Sequence, residues 1–78
     1  MTMIETPTRV DARGLSCPMP IVRTAQAVKT LPSGALVEVL ATDPGAQQDF
    51  VAWCRSTGHE LVERTSEGQV HRFLIRRK

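Results

Sequence analysis

Apolar positions along this chain recur with two periods, and each change of period marks an element. Thr8 to Ala12 sets Val10 among short or β-compatible residues, which predicts a short first strand. From Pro20 to about Thr30, Ile21, Ala25 and Val28 fall on one face of a helix. Leu31-Pro32-Ser33-Gly34 ends that helix, because proline and glycine there cannot continue it. Ala35 to Ala41 alternates: Val37, Val39 and Ala41 share one face, and Leu36, Glu38 and Leu40 the other. After Thr42-Asp43-Pro44-Gly45 a second helix runs to about Thr57. Asp43 is the expected N-cap, since its carboxylate can accept from free backbone N–H groups, and Pro44 the expected first helical residue. Ala46, Phe50, Trp53 and Cys54 form the apolar stripe, and Gly58 is placed as the left-handed residue beyond the helix end. His59 to Thr65 and Gln69 to Arg77 predict two strands joined by a turn at Ser66-Glu67-Gly68.

The order is β-α-β-α-β-β. A strand–helix–strand crossover implies a parallel pair, and the closing hairpin must be antiparallel. The expected fold is an α/β (α+β) two-layer sandwich: a four-stranded mixed sheet with two helices on one face. The open face, with Leu36, Glu38 and Leu40, reads as an ordinary mixed surface. With 78 residues there is room for one domain, residues 8–78, behind a frayed leader, residues 1–7.

Composition narrows the setting. Hydrophobic residues at 41% and charged residues at 23% are ordinary for a globular domain. No apolar run approaches the roughly 20 residues that cross a bilayer. The start lacks the basic and then apolar pattern of a secretory signal, so a cytoplasmic location is expected, without membrane contact. In a reducing compartment the two cysteines are expected as thiols. A net charge of +2, with two Phe, one Trp and no Tyr, argues against nucleic-acid binding. Arg72, Arg76, Arg77 and Lys78 read as a solvated basic tail.

The candidate chemistry lies in Gly14-Leu15-Ser16-Cys17-Pro18-Met19-Pro20. Gly14 can turn the chain sharply after the first strand. The residue before a proline avoids helical geometry, so Cys17 and Met19 are expected to be extended, with Pro20 first in the helix. Cys17 then sits at the positive end of a helix, where a thiolate is stabilised and the pKa falls. The prolines should hold the sulfur outward on a stiff platform. Without a Cys-x-x-Cys there is no resolving thiol for a disulfide cycle. His59 and His71 lie far along the chain, which disfavours a Cys–His hydrolase. The Cys and His spacings fit no common zinc site, and no metal is expected. One accessible thiol can still take a sulfane sulfur from one protein and hand it to another, by exchange at sulfur.

Cys17-Pro18-Met19-Pro20 resembles the Cys-Pro-x-Pro motif of the TusA/SirA-like sulfur-carrier family. Asp11 to Cys17 resembles the family's Asp-x-x-Gly-x-x-Cys-Pro approach. Asp43-Pro44, Asp49, Cys54, His59-Glu60-Leu61 and Phe73-Leu74-Ile75-Arg76 are similar to TusA as well. The resemblance spans almost the whole chain from Asp11. It implies the βαβαββ fold and a sulfurtransferase of the carrier type, with a covalent persulfide on Cys17 and no other cofactor. It implies a cysteine desulfurase or rhodanese as donor and a DsrE-like or TusD-like protein as acceptor. The sulfur would serve tRNA thiolation, molybdenum-cofactor supply or sulfur oxidation. A monomer is expected. The competing reading is a non-catalytic regulatory or protein-binding module, in which the same corner is only a rigid helix start.

Other residues carry weaker signals. Cys54 and Trp53, on the apolar stripe, read as core. Asp11 and Arg13 flank the cysteine loop and could steady it or touch a partner. Asp43 reads mainly as a cap, and Glu60 as an exposed strand charge or a partner contact. Met19, between the prolines, offers an adaptable apolar contact beside the thiol.

Overall fold

The computed structural model describes residues 6–78; positions 1–5 of the expected leader lie outside the described residues. The elements are β1 (Thr8–Ala12), α1 (Met19–Lys29), β2 (Leu36–Ala41), α2 (Ala46–Thr57), β3 (Glu60–Glu67) and β4 (Val70–Arg76). The strands form one sheet in the order β1-β2-β4-β3. β1 pairs parallel to β2, while β4 runs antiparallel to both β2 and β3. Both helices pack on one face, giving the expected two layers with a four-stranded mixed sheet.

Period-two alternation makes β2 the spine. Val37, Val39 and Ala41 are fully buried under the helices. Their neighbours across the sheet, Val10 and Ala12 on β1 and Phe73 and Ile75 on β4, face the same way. The α2 stripe closes the core as its spacing requires: Ala46, Phe50 and Cys54 are buried, and Trp53 is half-buried. Phe50 stacks on Phe73 with ring centroids 4.6 Å apart and meets Trp53 edge-on at 6.2 Å. Such pairs add about 0.5–1.5 kcal/mol each beyond the area they bury.

The α1 stripe differs from expectation. Its buried line is Pro20, Thr24 and Val28, with Ile21 only half-buried. A threonine can take the central position because its Oγ1 donates to the Pro20 carbonyl at 2.9 Å, so no buried polar atom is left unpaired.

Element boundaries also move. α2 begins at Ala46 with Gly45 as N-cap, so Asp43 and Pro44 belong to the turn before it. Asp43 still caps that turn by accepting from the Gly45 N–H at 2.9 Å. β3 continues to Glu67, and the hairpin turn is Gly68-Gln69, where Glu67 pairs with Val70. Gly68 has φ +62, a value suited to glycine in a two-residue turn. A register shift between Leu61 and Glu63 leaves Val62 as an extra, exposed residue.

The open face is stitched by charge. Glu38 takes Arg9 at 2.8 Å and also Arg72, which reaches on to Glu63 at 3.2 Å. Arg72 and then Arg9 hold the Glu38 carboxyl below its ordinary range. Arg76 donates to the Gly34 carbonyl and pairs with Glu60. Arg72 and Arg76 are therefore structural members of the sheet rather than a solvated tail.

Candidate functional site

Parallel neighbours end at the same edge of a sheet. β1 and β2 both deliver the chain there, and both helices start there, so the loops at 13–18 and 42–45 lie side by side. The Gly14 N–H ties them by donating to Thr42 Oγ1 at 2.9 Å. Gly14 has φ +79 in a turn closed by Leu15 N–H to the Ala12 carbonyl at 3.3 Å. Asp11 and Arg13 clamp this turn together. The Asp11 carboxylate accepts from Arg13 Nε at 2.9 Å, from Nη2 at 2.9 Å and from its backbone N–H at 3.1 Å. Those bonds pull the Asp11 pKa down to about 2.

Cys17 follows, with a cis peptide to Pro18. The Met19 N–H bonds to the Ser16 carbonyl at 2.9 Å, and the Val22 N–H to the Pro18 carbonyl at 3.0 Å. Met19 is thus the first residue of α1 and not extended; Pro20 turns inward and is buried. Proline is tolerated there because the first helical turn has no use for its missing N–H.

The sulfur does not point freely outward. Cys17 is half-buried, and its Sγ and the carboxylate oxygens of Asp43 and Asp49 all lie within 4.8 Å of one another. Nor is the thiol activated. It is pushed from 9.0 up to about 12, first by its hydrogen bond to Asp49, then by burial, then by Asp43. A helix N-terminus is worth about 0.3–1 kcal/mol to an anion, under one pKa unit. Two carboxylates at this range outweigh it. Asp43 accepts from the Cys17 side chain, from Gly45 N–H and from the Cys17 backbone N–H, and its own carboxyl is held below the ordinary range.

Gly45 makes room for the pair. A Cβ there would stand 3.1 Å from Asp43 Oδ2 and 3.7 Å from Asp49 Oδ2. Sequence reasoning gave no role in the site to Gly45, or to Asp49, which it singled out only by its likeness to the family. The available signal was topological: acids in the second crossover of a parallel pair must meet the cysteine in the first.

Among the described residues, these three ligand atoms form the one grouping within metal-binding reach. S–H donation to the carboxylates already accounts for their approach. The remaining candidates lie elsewhere. Cys54 is in the core, its thiol pushed up to about 11 by burial alone. His71 Nδ1 is engaged by Ser66 at 2.8 Å and Gln47 at 3.1 Å, and His59 Nδ1 accepts from Lys78 N–H at 2.9 Å. Glu60 pairs across β3 and β4 with Arg76, at the far end of the sheet from Cys17. Met19 and Val22, 42% and 37% exposed, are two of the three exposed large hydrophobics among the described residues. Both sit on the first turn of α1, which Cys17 leads into. A shallow groove of about 450 Å³, lined by Thr42, Pro44, Gly68, Gln69 and His71, opens next to Asp43.

A two-layer βαβαββ domain with one reachable thiol on a Cys-Pro-x-Pro corner defines a small thiol-presenting class. The family described as Sulfurtransferase TusA matches residues 8–77, and this chain belongs to it. YrkI of Bacillus subtilis is 53% identical over 68 residues, covering 87% of this chain and 91% of that protein. The sulfur carrier protein TusA of Allochromatium vinosum is 44% identical over 68 residues, covering 87% and 90%. A crystal structure of the SirA-like protein from Desulfitobacterium hafniense superposes with a TM-score of 0.76 over 88% of this chain and 95% of that one, at 24% identity, a likeness of fold. No helix among the described residues is long and apolar enough to cross a membrane.

Proposed function

We propose that this protein is a cytoplasmic, monomeric sulfur carrier in which Cys17 holds a persulfide between a donor and an acceptor protein. The observation that carries the reading is the reachable Cys17 on its Cys-Pro-x-Pro corner, with the second thiol, Cys54, sealed in the core. The donor is a cysteine desulfurase or rhodanese bearing its own persulfide. Cys17 sulfur attacks the outer sulfur of the donor's persulfide and the donor's S–S bond breaks. The donor sulfur leaves with the electron pair and takes up the proton that Cys17 gives away. In the second half an acceptor thiolate, on a DsrE-like or TusD-like protein, attacks the outer sulfur. The Cys17 S–S bond then breaks, and Cys17 leaves as a thiolate and is reprotonated.

This exchange uses the protein's own cysteine and no other cofactor. What it requires is that two partners reach one sulfur in turn. Met19 and Val22 supply an apolar contact at its side, and methionine adapts to more than one surface. Asp11 and Arg13, clamped to each other, fix the loop, and Gly14, Pro18 and Pro20 set its path.

Intact-protein mass spectrometry after incubation with a cysteine desulfurase and cysteine tests the reading, with a rhodanese and thiosulfate as the second donor. The expected result is one added sulfur that maps to Cys17, is removed by reductant and is absent from Cys17→Ser. A free Cys17 that neither donor loads overturns it in favour of the binding-module reading.

A further inference from the structure

This inference rests on the sulfur-carrier reading and concerns what holds Cys17 between transfers. A thiol has one S–H to donate, yet Cys17 faces two carboxylates, with all three ligand atoms within 4.8 Å. The Asp43 carboxylate and the Asp49 backbone are both held in place. Asp43 accepts from Gly45 N–H at 2.9 Å. Asp49 stands in the first turn of α2, its own N–H bonded to the Gly45 carbonyl at 3.0 Å. Asp49, from α2, and Asp43, from the loop before it, are the charged groups that act on the sulfur. Arg13, the basic residue of the cysteine loop, is taken up by Asp11.

A neutral S–H fits between two carboxylates, and an anion does not. Loading changes the charge, because the S–S–H proton of a persulfide is more acidic than a thiol proton. It also moves that charge outward by one S–S bond, about 2.05 Å. We propose that Asp43 and Asp49 form a charge gate: they hold unloaded Cys17 inward as a neutral hydrogen-bond donor and turn loaded Cys17 outward as a persulfide anion. The carboxylates are positioning residues in this account. They distinguish the empty carrier from the full one by where the reactive sulfur stands, which lets an acceptor find the loaded form.

The test uses the whole protein and inorganic polysulfide as the sulfur source. Cys17 sulfur attacks a polysulfide sulfur, one S–S bond forms and one breaks, and the shortened polysulfide takes the thiol proton. Iodoacetamide trapping is then followed by mass spectrometry in loaded and unloaded protein, for wild type, Asp49→Asn and Asp43→Asn. Asparagine keeps the shape and the acceptor oxygen and removes the charge. For the unloaded protein we expect either variant to lower the pH midpoint of Cys17 alkylation by about one unit or more. Its rate at pH 7.5 should rise about threefold or more, the lost pKa being partly offset by weaker nucleophilicity. The loaded protein should show no such acceleration. A gain of equal size in both states, or in neither, overturns the gate while leaving the carrier intact. Where polysulfide leaves Cys17 unloaded, a cysteine desulfurase with cysteine, or a rhodanese with thiosulfate, loads it for the same comparison, and failure of both of these donors overturns the carrier reading itself. Wild type alone supplies a check independent of folding in the variants. On loading, the side-chain carboxyl ¹³C resonances of Asp43 and Asp49 should move as the S–H donor departs, and unchanged resonances overturn the gate.

Discussion

The sharpest consequence of the site is that the resting Cys17 is a poor acid, and a pH titration of its alkylation measures this directly. The perturbation is pH on the unloaded wild-type protein. A thiol titrating at 9.0 is about 3% ionised at pH 7.5, and one at about 12 only to roughly three parts in 100,000. Water around a half-buried sulfur screens the carboxylates, so only part of that range is expected in solution. Retaining a third of the shift puts the midpoint at about 10. The rate at one pH is a blunter measure, because thiolate nucleophilicity rises with pKa at a Brønsted slope of about 0.4–0.5. Each unit therefore slows the reaction near neutrality by about three- to fourfold rather than tenfold.

The assay is iodoacetamide labelling across pH 7 to 11, with peptide mapping to separate Cys17 from the buried Cys54. A short peptide of residues 13–20 serves as the unfolded control. We expect the protein's midpoint at about 10 or above, and labelling slower than the peptide near neutral pH. A midpoint at or below 9.0 would refute the reasoning. It would mean that the helix end, and not Asp43 and Asp49, sets the charge of the sulfur. The same shift has a sign in stability: a pKa raised by folding favours the native state below 9.0, and that contribution fades as pH rises toward about 12.

Phe50→Ala removes a fully buried ring stacked on Phe73, and a urea melt should show a loss of about 3–5 kcal/mol, a large share of a small domain's stability. Gly58→Ala meets both a φ of +85 and the Lys78 side chain at 3.0 Å; a thermal melt should register a cost of about 1–2 kcal/mol. Asp11 should titrate with a carboxyl ¹³C midpoint near 2, well below 3.8, and Arg13→Ala should return it toward that ordinary value. Its stabilising effect is present above pH 3.8 and is lost as pH falls through about 2. Gly45→Ala has no backbone strain, because φ is −82, but crowds Asp43 Oδ2 at 3.1 Å. It should change the Cys17 labelling midpoint more than the melting temperature.

Much of the architecture was legible because a small sheet has few solutions. The alternation of Val37, Val39 and Ala41 named the core face of β2, and the β-α-β-α-β-β order implied the mixed sheet. The α2 stripe and Gly58 followed from helix periodicity and the left-handed end. Legibility failed where a polar group finds a local partner. Thr24 looks like a surface residue until its hydroxyl is seen bonded to the Pro20 carbonyl. Met19 looks extended by its proline neighbour, yet the Ser16 carbonyl closes the first turn on it. Arg72 and Arg76 look like a tail because their acidic partners, Glu38, Glu63 and Glu60, sit on other strands. The position of Cys17 was legible and its state was not. A helix N-terminus is visible in a single stretch of sequence; the acids that override it arrive from 26 and 32 residues downstream, through Asp43 and Asp49.

That override follows from the topology. A parallel β1–β2 pair sends both crossover helices away from one edge, so whatever follows each strand must share that edge. With Cys17 after the first strand, the residues after the second decide the cysteine's environment. Basic residues at 43 and 49 would have made a reactive thiolate, prone to oxidation in the absence of a partner. Acids make a thiol that stays protonated and waits. For a protein proposed to take sulfur from a docked donor, that restraint has a use, because it favours reaction within a complex over reaction in free solution. The burden of ionising Cys17 then falls on the donor's surface at the moment of contact. A donor variant that loses the cationic side chain nearest its own persulfide should load wild-type Cys17 more slowly, yet load Asp49→Asn with a smaller deficit. Equal deficits in single-turnover transfer would show that the donor's charge does not act through the Asp43–Asp49 pair.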